Sequence, residues 1–129
     1  MVGVLSACGS SDSGEDVERE AAAGTEKCDA PPARDVDWSG CDKRGAELYR
    51  ADLRDANLTG ANLYNANLPY ANLPYANLRK ANLRFAALRG ADLTDAYLSG
   101  ATLTDATCGN HTWWPDGTKS HGKKCPAAN

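Results

Sequence analysis

An alanine stands at every fifth position from Ala46 to Ala106, and a leucine follows two places after each but the last, from Leu48 to Leu103. The other three positions of each pentad are mostly polar, charged, glycine, proline or aromatic, as in Ala51-Asp52-Leu53-Arg54-Asp55 and Ala56-Asn57-Leu58-Thr59-Gly60. Thirteen alanines and twelve of the thirteen leucines share this frame. Residues 36–40 (VDWSG) and 41–45 (CDKRG) keep it upstream, so fifteen pentads run without a gap over 36–110. Neither regular element uses such a period. On an α-helix five residues advance about 500°, so successive leucines circle the axis in steps of about 140°. On a flat strand an odd period throws successive leucines to opposite faces. Pro69 and Pro74 also oppose a helix interior. The pattern is satisfied if the chain turns after every pentad, with alanine and leucine facing one axis and the other three positions facing out. Repeats that cannot bury their own apolar face must stack, which predicts a solenoid.

The motif A-[DN]-L-x-x, in Ala56-Asn57-Leu58, Ala61-Asn62-Leu63 and their neighbours, resembles the pentapeptide-repeat family over about 75 of the 129 residues. That resemblance implies an all-β right-handed quadrilateral β-helix with four pentads per coil, so that positions twenty apart become stacked neighbours. Fifteen pentads then make nearly four coils, and at a strand-like spacing of about 4.8 Å the stack is roughly 15–20 Å tall. The inward columns become Trp38, Leu58, Leu78, Leu98; Leu63, Leu83, Leu103; Leu48, Leu68, Leu88; and Leu53, Leu73, Leu93. Alanine fills the tighter inward place beside them. The series Asn57, Asn62, Asn67, Asn72, Asn77, Asn82 favours tight corners and side-chain ladders between coils.

Departures from the repeat fall mostly at its ends. Lys43 stands where a leucine belongs and is expected to snorkel out of the open first coil. Ala87, Tyr97, Thr102 and Thr107 replace Asp or Asn, which puts the corner bonds there in question, and Cys108 replaces the last leucine. An open solenoid end exposes core and backbone edges, so both ends need caps. Trp38 is the expected N-terminal plug. Residues 111–129 supply the C-terminal cap, with Trp113 continuing the Leu93 column, Trp114 after it, and Pro115-Asp116-Gly117 a turn.

The chain outside the repeats changes the picture twice. Leu5-Ser6-Ala7-Cys8 resembles a bacterial lipobox, and this implies lipidation of Cys8. Only seven residues precede that cysteine, fewer than a basic and apolar signal peptide requires, so residues 1–8 read as the remnant of a leader begun further upstream. Residues 9–35 open with a Gly-Ser-Ser-Asp-Ser-Gly stretch and stay rich in Ala, Glu and Asp up to Pro31-Pro32, a flexible acidic linker that cannot bury a core. Net charge follows the same division: −5 over 1–35, zero over 36–110 and +2 over 111–129. No apolar run approaches the roughly 18 residues of a membrane span.

Five cysteines divide into Cys8 and four others. Cys28, Cys41, Cys108 and Cys125 allow three pairings. The local one, Cys28–Cys41 and Cys108–Cys125, pins each cap to its own end and fits an oxidising compartment. Cys108, His111, His121 and Cys125 also have spacings usable for zinc. An exported chain favours the disulfide, so no metal and no cofactor is expected.

Candidate chemistry is sparse. The sequence has no nucleophile motif, glycine-rich phosphate loop or recognisable triad, and its aspartates sit in the repeat frame, so a non-enzymatic role is expected. The outward residues Arg50, Tyr64, Tyr70 and Tyr75 form the candidate binding patch: Arg50 stacks over Tyr70 with Gly90 below, and Arg44 and Arg84 bracket Tyr64 in position for cation–π contact. Arg79, Lys80, Arg84 and Arg89 are clustered in sequence but fall on successive faces, so no nucleic-acid partner is expected. The resulting expectation is a lipid-anchored, extracytoplasmic structural or interaction module, holding the membrane through its acylated cysteine and meeting a protein or cell-wall partner. The alternative is a cytoplasmic DNA mimic that binds a type II topoisomerase, as some pentapeptide-repeat proteins do. That role needs a strongly negative surface, which the neutral repeat region lacks.

Overall fold

The computed structural model describes residues 26–120 and Cys125. Cys8 and the rest of residues 1–8, most of residues 9–35, and His121 lie outside them. From Asp37 to Trp113 the backbone forms single parallel bridges to the coil below, Asp37 to Asn57, Asp42 to Asn62, Glu47 to Asn67, Asp52 to Asn72, and so on to Ala87 with Thr107. Every one of those steps is twenty residues. The chain therefore winds as a four-sided β-helix. Its first face is built from residues 36–40, 56–60, 76–80 and 96–100; the second from 41–45, 61–65, 81–85 and 101–105; the third from 46–50, 66–70, 86–90 and 106–110; and the fourth from 51–55, 71–75, 91–95 and 112–116.

Each corner is a four-residue turn. The amide that follows the pentad donates back to the leucine carbonyl, as Ala56 N–H does to Leu53 (3.1 Å) and Ala61 N–H to Leu58 (3.0 Å). Asp35, just before the first pentad, and the last residue of the first fourteen pentads, from Gly40 to Asp105 by fives, have φ between +56° and +74°, and in the fifteenth Gly109 takes that conformation (φ +67°). Six of these are glycine. The other ten carry a Cβ in the left-handed region, at a cost of roughly 1 kcal/mol or more each. Hydrogen bonds on both sides hold them there, as when Tyr70 N–H donates to Arg89 at 2.8 Å.

The Asp or Asn of the motif works chiefly within its own pentad. Its Oδ1 accepts the N–H two residues on, in Asp37–Ser39, Asp42–Arg44, Asp52–Arg54, Asn57–Thr59, Asn62–Tyr64, Asn77–Arg79, Asn82–Arg84 and Asp92–Thr94. Such bonds mimic a backbone turn. At this motif position two side-chain rungs join coils among the described residues, Asn82 to Asn62 (3.3 Å) and Asn67 to Glu47 (2.7 Å). Asn67 and Asn72 precede Pro69 and Pro74, which have no N–H to give; there the proline ring presets the turn instead. Where Ala87, Tyr97, Thr102 and Thr107 stand in the Asp/Asn place, the backbone bridges continue unbroken.

The core is the alanine and leucine lining. Leu53, Leu58, Leu63, Leu68, Leu73, Leu78, Leu83, Leu88 and Leu93 are essentially inaccessible, Leu48 and Leu103 are buried, and Leu98 in the last coil is half-buried. Each fully buried leucine contributes on the order of 1.5–3 kcal/mol.

Trp38 plugs the upper end at 1% exposure, its indole donating to Ala30 O at 3.0 Å. Lys43, in its leucine slot, lays its ammonium 4.0 Å from the Trp38 ring centroid. Cys28 is bonded to Cys41 across this cap, and Cys108 to Cys125 at the other end, with Cα separations of 5.4 and 5.1 Å.

The lower cap corrects the expected register. Trp113 does not continue the Leu93 column: it bridges Asp92 and is 40% exposed, while Trp114 is buried in that column. The coil here spans twenty-one residues, because the corner at Gly109-Asn110-His111 holds one residue more than the others. Thr112 takes the alanine place with 0% exposure, and its hydroxyl is satisfied by the Leu88 carbonyl at 2.6 Å and by that of Cys108. Beyond it, Trp113 pairs antiparallel with Lys119 around the Pro115-Asp116-Gly117 turn, and Ser120 N–H returns to Thr112.

Candidate binding surface

Two outward positions of each pentad carry the large side chains: the fourth, beside the leucine, and the left-handed fifth, at the corner. A fourth-position side chain meets the fifth-position one of the next coil, twenty-one residues on. Tyr49 thereby lies against Tyr70 (ring centroids 6.1 Å) and Tyr64 against Phe85 edge-on (5.4 Å).

These contacts divide the four sequence-predicted patch residues among three faces. On the third face Arg50 lies over Tyr70 (5.9 Å) and over Tyr49 (5.3 Å). The Tyr70 ring rests on Gly90, where an added Cβ would come within 2.5 Å of Cδ1 and Cε1. On the second face Tyr64 packs with Phe85, and Arg84 lies over Phe85 at 5.6 Å. Arg44 and Arg84 do flank Tyr64 in its column, but neither guanidinium makes the expected cation–π contact with its ring. Arg44 is drawn to Asp42 (2.8 Å), a two-residue separation that suits its guanidinium fork. On the fourth face Tyr75 stands in the column of Asp55 and Asp95. The Asp95 charge, and the hydrogen bond between the two side chains, hold the Tyr75 phenol above its ordinary range. Arg50 and Tyr70 thus form one unit, while Tyr64 and Tyr75 belong to separate faces. Tyr49 and Phe85 are missing from the sequence-derived patch; the spacing of twenty-one rather than twenty is the signal that finds them.

Charge is sorted by face although the repeats sum to zero. The fourth face holds Asp52, Asp55, Asp92, Asp95 and Asp116 against Arg54, or −4. The other three faces, over 36–111, hold seven bases and four acids, or +3. Arg34, Arg44 and Arg54 engage Asp55, Asp42 and Asp52. The Arg54 hydrogen bond draws the Asp52 carboxyl down to about 2. Among the described residues, no group of three or more His, Cys, Asp or Glu is placed to hold a metal ion, and no helix is long and apolar enough to cross a membrane. Both thiols of the zinc-compatible set, Cys108 and Cys125, are joined to each other.

The family model for pentapeptide repeats matches eight copies, over residues 46–84 and 81–111. Against curated proteins the chain gives no match. Among solved structures it is similar to HetL, a pentapeptide repeat protein involved in heterocyst differentiation regulation from the cyanobacterium Nostoc: 38% identity, 67% of this chain and 41% of that one, TM-score 0.40. It is similar also to a pentapeptide repeat protein from the thylakoid lumen of Arabidopsis thaliana, at 34% identity over 67% and 66% of the two chains, TM-score 0.48. A third, Rfr23 from the cyanobacterium Cyanothece, shares 38% identity over 60% and 53%, TM-score 0.45. The aligned region thus spans less than two thirds of each of these three proteins. With the repeat match covering just over half of its length, the chain belongs to the pentapeptide-repeat family and adopts its right-handed quadrilateral β-helix.

Proposed function

We propose that this protein is a non-enzymatic lipoprotein of the cell envelope, a rigid interaction or structural module held to the membrane by acylated Cys8 on the acidic linker that leads to the Cys28 cap. A pentapeptide-repeat β-helix is a structural or interaction module. The observation that carries the envelope reading is the pair of disulfides, one at each end of the solenoid. In a reducing cytosol thiols stay free, whereas an oxidising compartment lets such bonds persist. Each closes a short loop, of 13 and 17 residues, and secures a cap that would otherwise expose core. The Leu5-Ser6-Ala7-Cys8 motif and the linker after it support the same location from the sequence. Lipid at Cys8, with a protein or cell-wall partner at the solenoid, would place the outward faces clear of the bilayer.

The test is expression of the chain, with a lipoprotein signal peptide placed ahead of Cys8, in a bacterial host supplied with a clickable palmitate. The expected result is label in the membrane fraction, lost together with membrane retention in Cys8→Ser, and four blocked thiols at Cys28, Cys41, Cys108 and Cys125. Equal membrane retention of Cys8→Ser, or four free thiols, would contradict the proposal.

A further inference from the structure

The third face gathers two exposed tyrosines and two arginines on one acid-poor surface; the first face, also free of acid below Asp37, offers Tyr97 alone with Arg79 and Lys80. Below Glu47, whose carboxylate is taken up by Asn67, the third face carries no acid through three successive coils, at 66–70, 86–90 and 106–110. It presents two guanidinium groups, Arg50 and Arg89, and among the described residues neither has a carboxylate partner, whereas Arg34, Arg44 and Arg54 all do. Between them the surface is shingled. Tyr49 leans on Tyr70, Tyr70 lies on Gly90, and the Arg89 stem passes over Gly109, where a Cβ would meet its Cγ at 3.1 Å. The glycines let these side chains lie down, which leaves ring surface open: Tyr49 is 51% and Tyr70 44% exposed.

We infer that this face binds an anionic glycan, with sugar rings laid against Tyr49 and Tyr70 and a carboxylate or phosphate held by Arg50 and Arg89. Aromatic faces offer a sugar large contact at little entropic cost, because few rotors must be frozen. A guanidinium is a bidentate donor to either oxyanion, a stronger partner than the exposed ring that Arg50 now covers. Charge decides against a nucleic acid. A polyanion with one phosphate per residue needs a continuous basic track. Here the fourth face, at −4, begins around the corner from Arg50. A glycan charged only at intervals matches two arginines and avoids that repulsion.

The inference rests on the envelope reading for access to such polymers, but its test uses the purified full chain, so a failed anchor and a failed site are told apart. Affinity electrophoresis is run in gels containing polygalacturonate (carboxylate), glycerol-phosphate teichoic acid (phosphate) or neutral dextran, and oligo(dT) binding is followed by fluorescence anisotropy. The expected result is retardation by one or both anionic glycans, which identifies the oxyanion, and none by dextran. Affinity should fall about tenfold in the Arg50→Gln/Arg89→Gln double variant and in Tyr70→Gly, and stay unchanged in Arg54→Gln on the fourth face. Glycine suits the left-handed backbone at position 70, and the arginine variants keep the test valid if Tyr70→Gly does not fold. Retardation by neither anionic gel, equal retardation by dextran, tighter binding of oligo(dT), or an unaffected arginine double variant would overturn the inference.

Discussion

Gly60 and Gly90 occupy equivalent corners, with φ of +65° and +70°, and differ in what lies over them. An added Cβ at Gly60 would meet nothing within 4 Å, whereas at Gly90 it would come within 2.5 Å of the Tyr70 ring. Alanine at either position carries the left-handed penalty, about 1 kcal/mol. At Gly90 it must also expel the ring. Tyr70 is 44% exposed, so somewhat more than half of its surface is covered. Losing contact on the order of 100 Å² of an aromatic side chain, at about 25 cal/mol per Å², adds up to about 2 kcal/mol. Gly60→Ala should therefore cost about 1 kcal/mol and Gly90→Ala about 2–3 kcal/mol. Combined with Tyr70→Gly, Gly90→Ala should fall back to the Gly60→Ala value. The assay is equilibrium urea unfolding of the full chain, read by circular dichroism, with the wild type, Gly90→Ala, Tyr70→Gly and their combination forming a double-mutant cycle. Equal losses at the two glycines, or no coupling between positions 70 and 90, would refute the shingled packing of the third face.

Leu73→Asp should abolish the folded state, because an unpaired carboxylate at a site 1% exposed costs several kcal/mol, while Leu73→Ala should cost about 2–5 kcal/mol and still fold. Both are checked by far-UV circular dichroism and thermal melting. The pH dependence at Asp52 has a definite sign. Its folded pKa is depressed from 3.8 to about 2, so its contribution to stability is complete above about 4 and is lost as pH falls from about 4 towards 2. A carbon-detected NMR titration should show this, with Arg54→Ala returning Asp52 to the ordinary carboxylate range.

The inward columns were legible because a strict period leaves one arrangement that buries every leucine. A single extra residue does not announce itself in such a pattern. Carrying the count of five past Asn110 put Trp113 in the core, yet Thr112-x-Trp114 repeats the small-x-large spacing of Ala91-x-Leu93 one place later. Only the choice of which tryptophan could be buried beside a small residue separated the two registers. The aspartates and asparagines were read as serving both tight corners and ladders between coils, and the corner role dominates. Most cap their own turn, because an amide two residues away is nearer than a partner in the next coil. The outward patch was harder, since tyrosines that are neighbours in sequence stand on different faces. Arg44 left Tyr64 for Asp42 because an oppositely charged carboxylate two residues away outcompetes an exposed ring.

The register of twenty residues underlies the stacking from Asp37 to Thr107, and engineered disulfides test it directly. Bridged positions on adjacent coils lie about 4.8 Å apart, within the Cα separations that a disulfide spans. The outward pair Asn57→Cys/Asn77→Cys, bridged across the first face, should therefore cross-link under mild oxidation in the folded chain. Asn57→Cys/Asn72→Cys, fifteen residues apart and on different faces, should remain reduced. Cross-linking of the second pair in place of the first, scored by non-reducing peptide mapping, would contradict the four-sided coil.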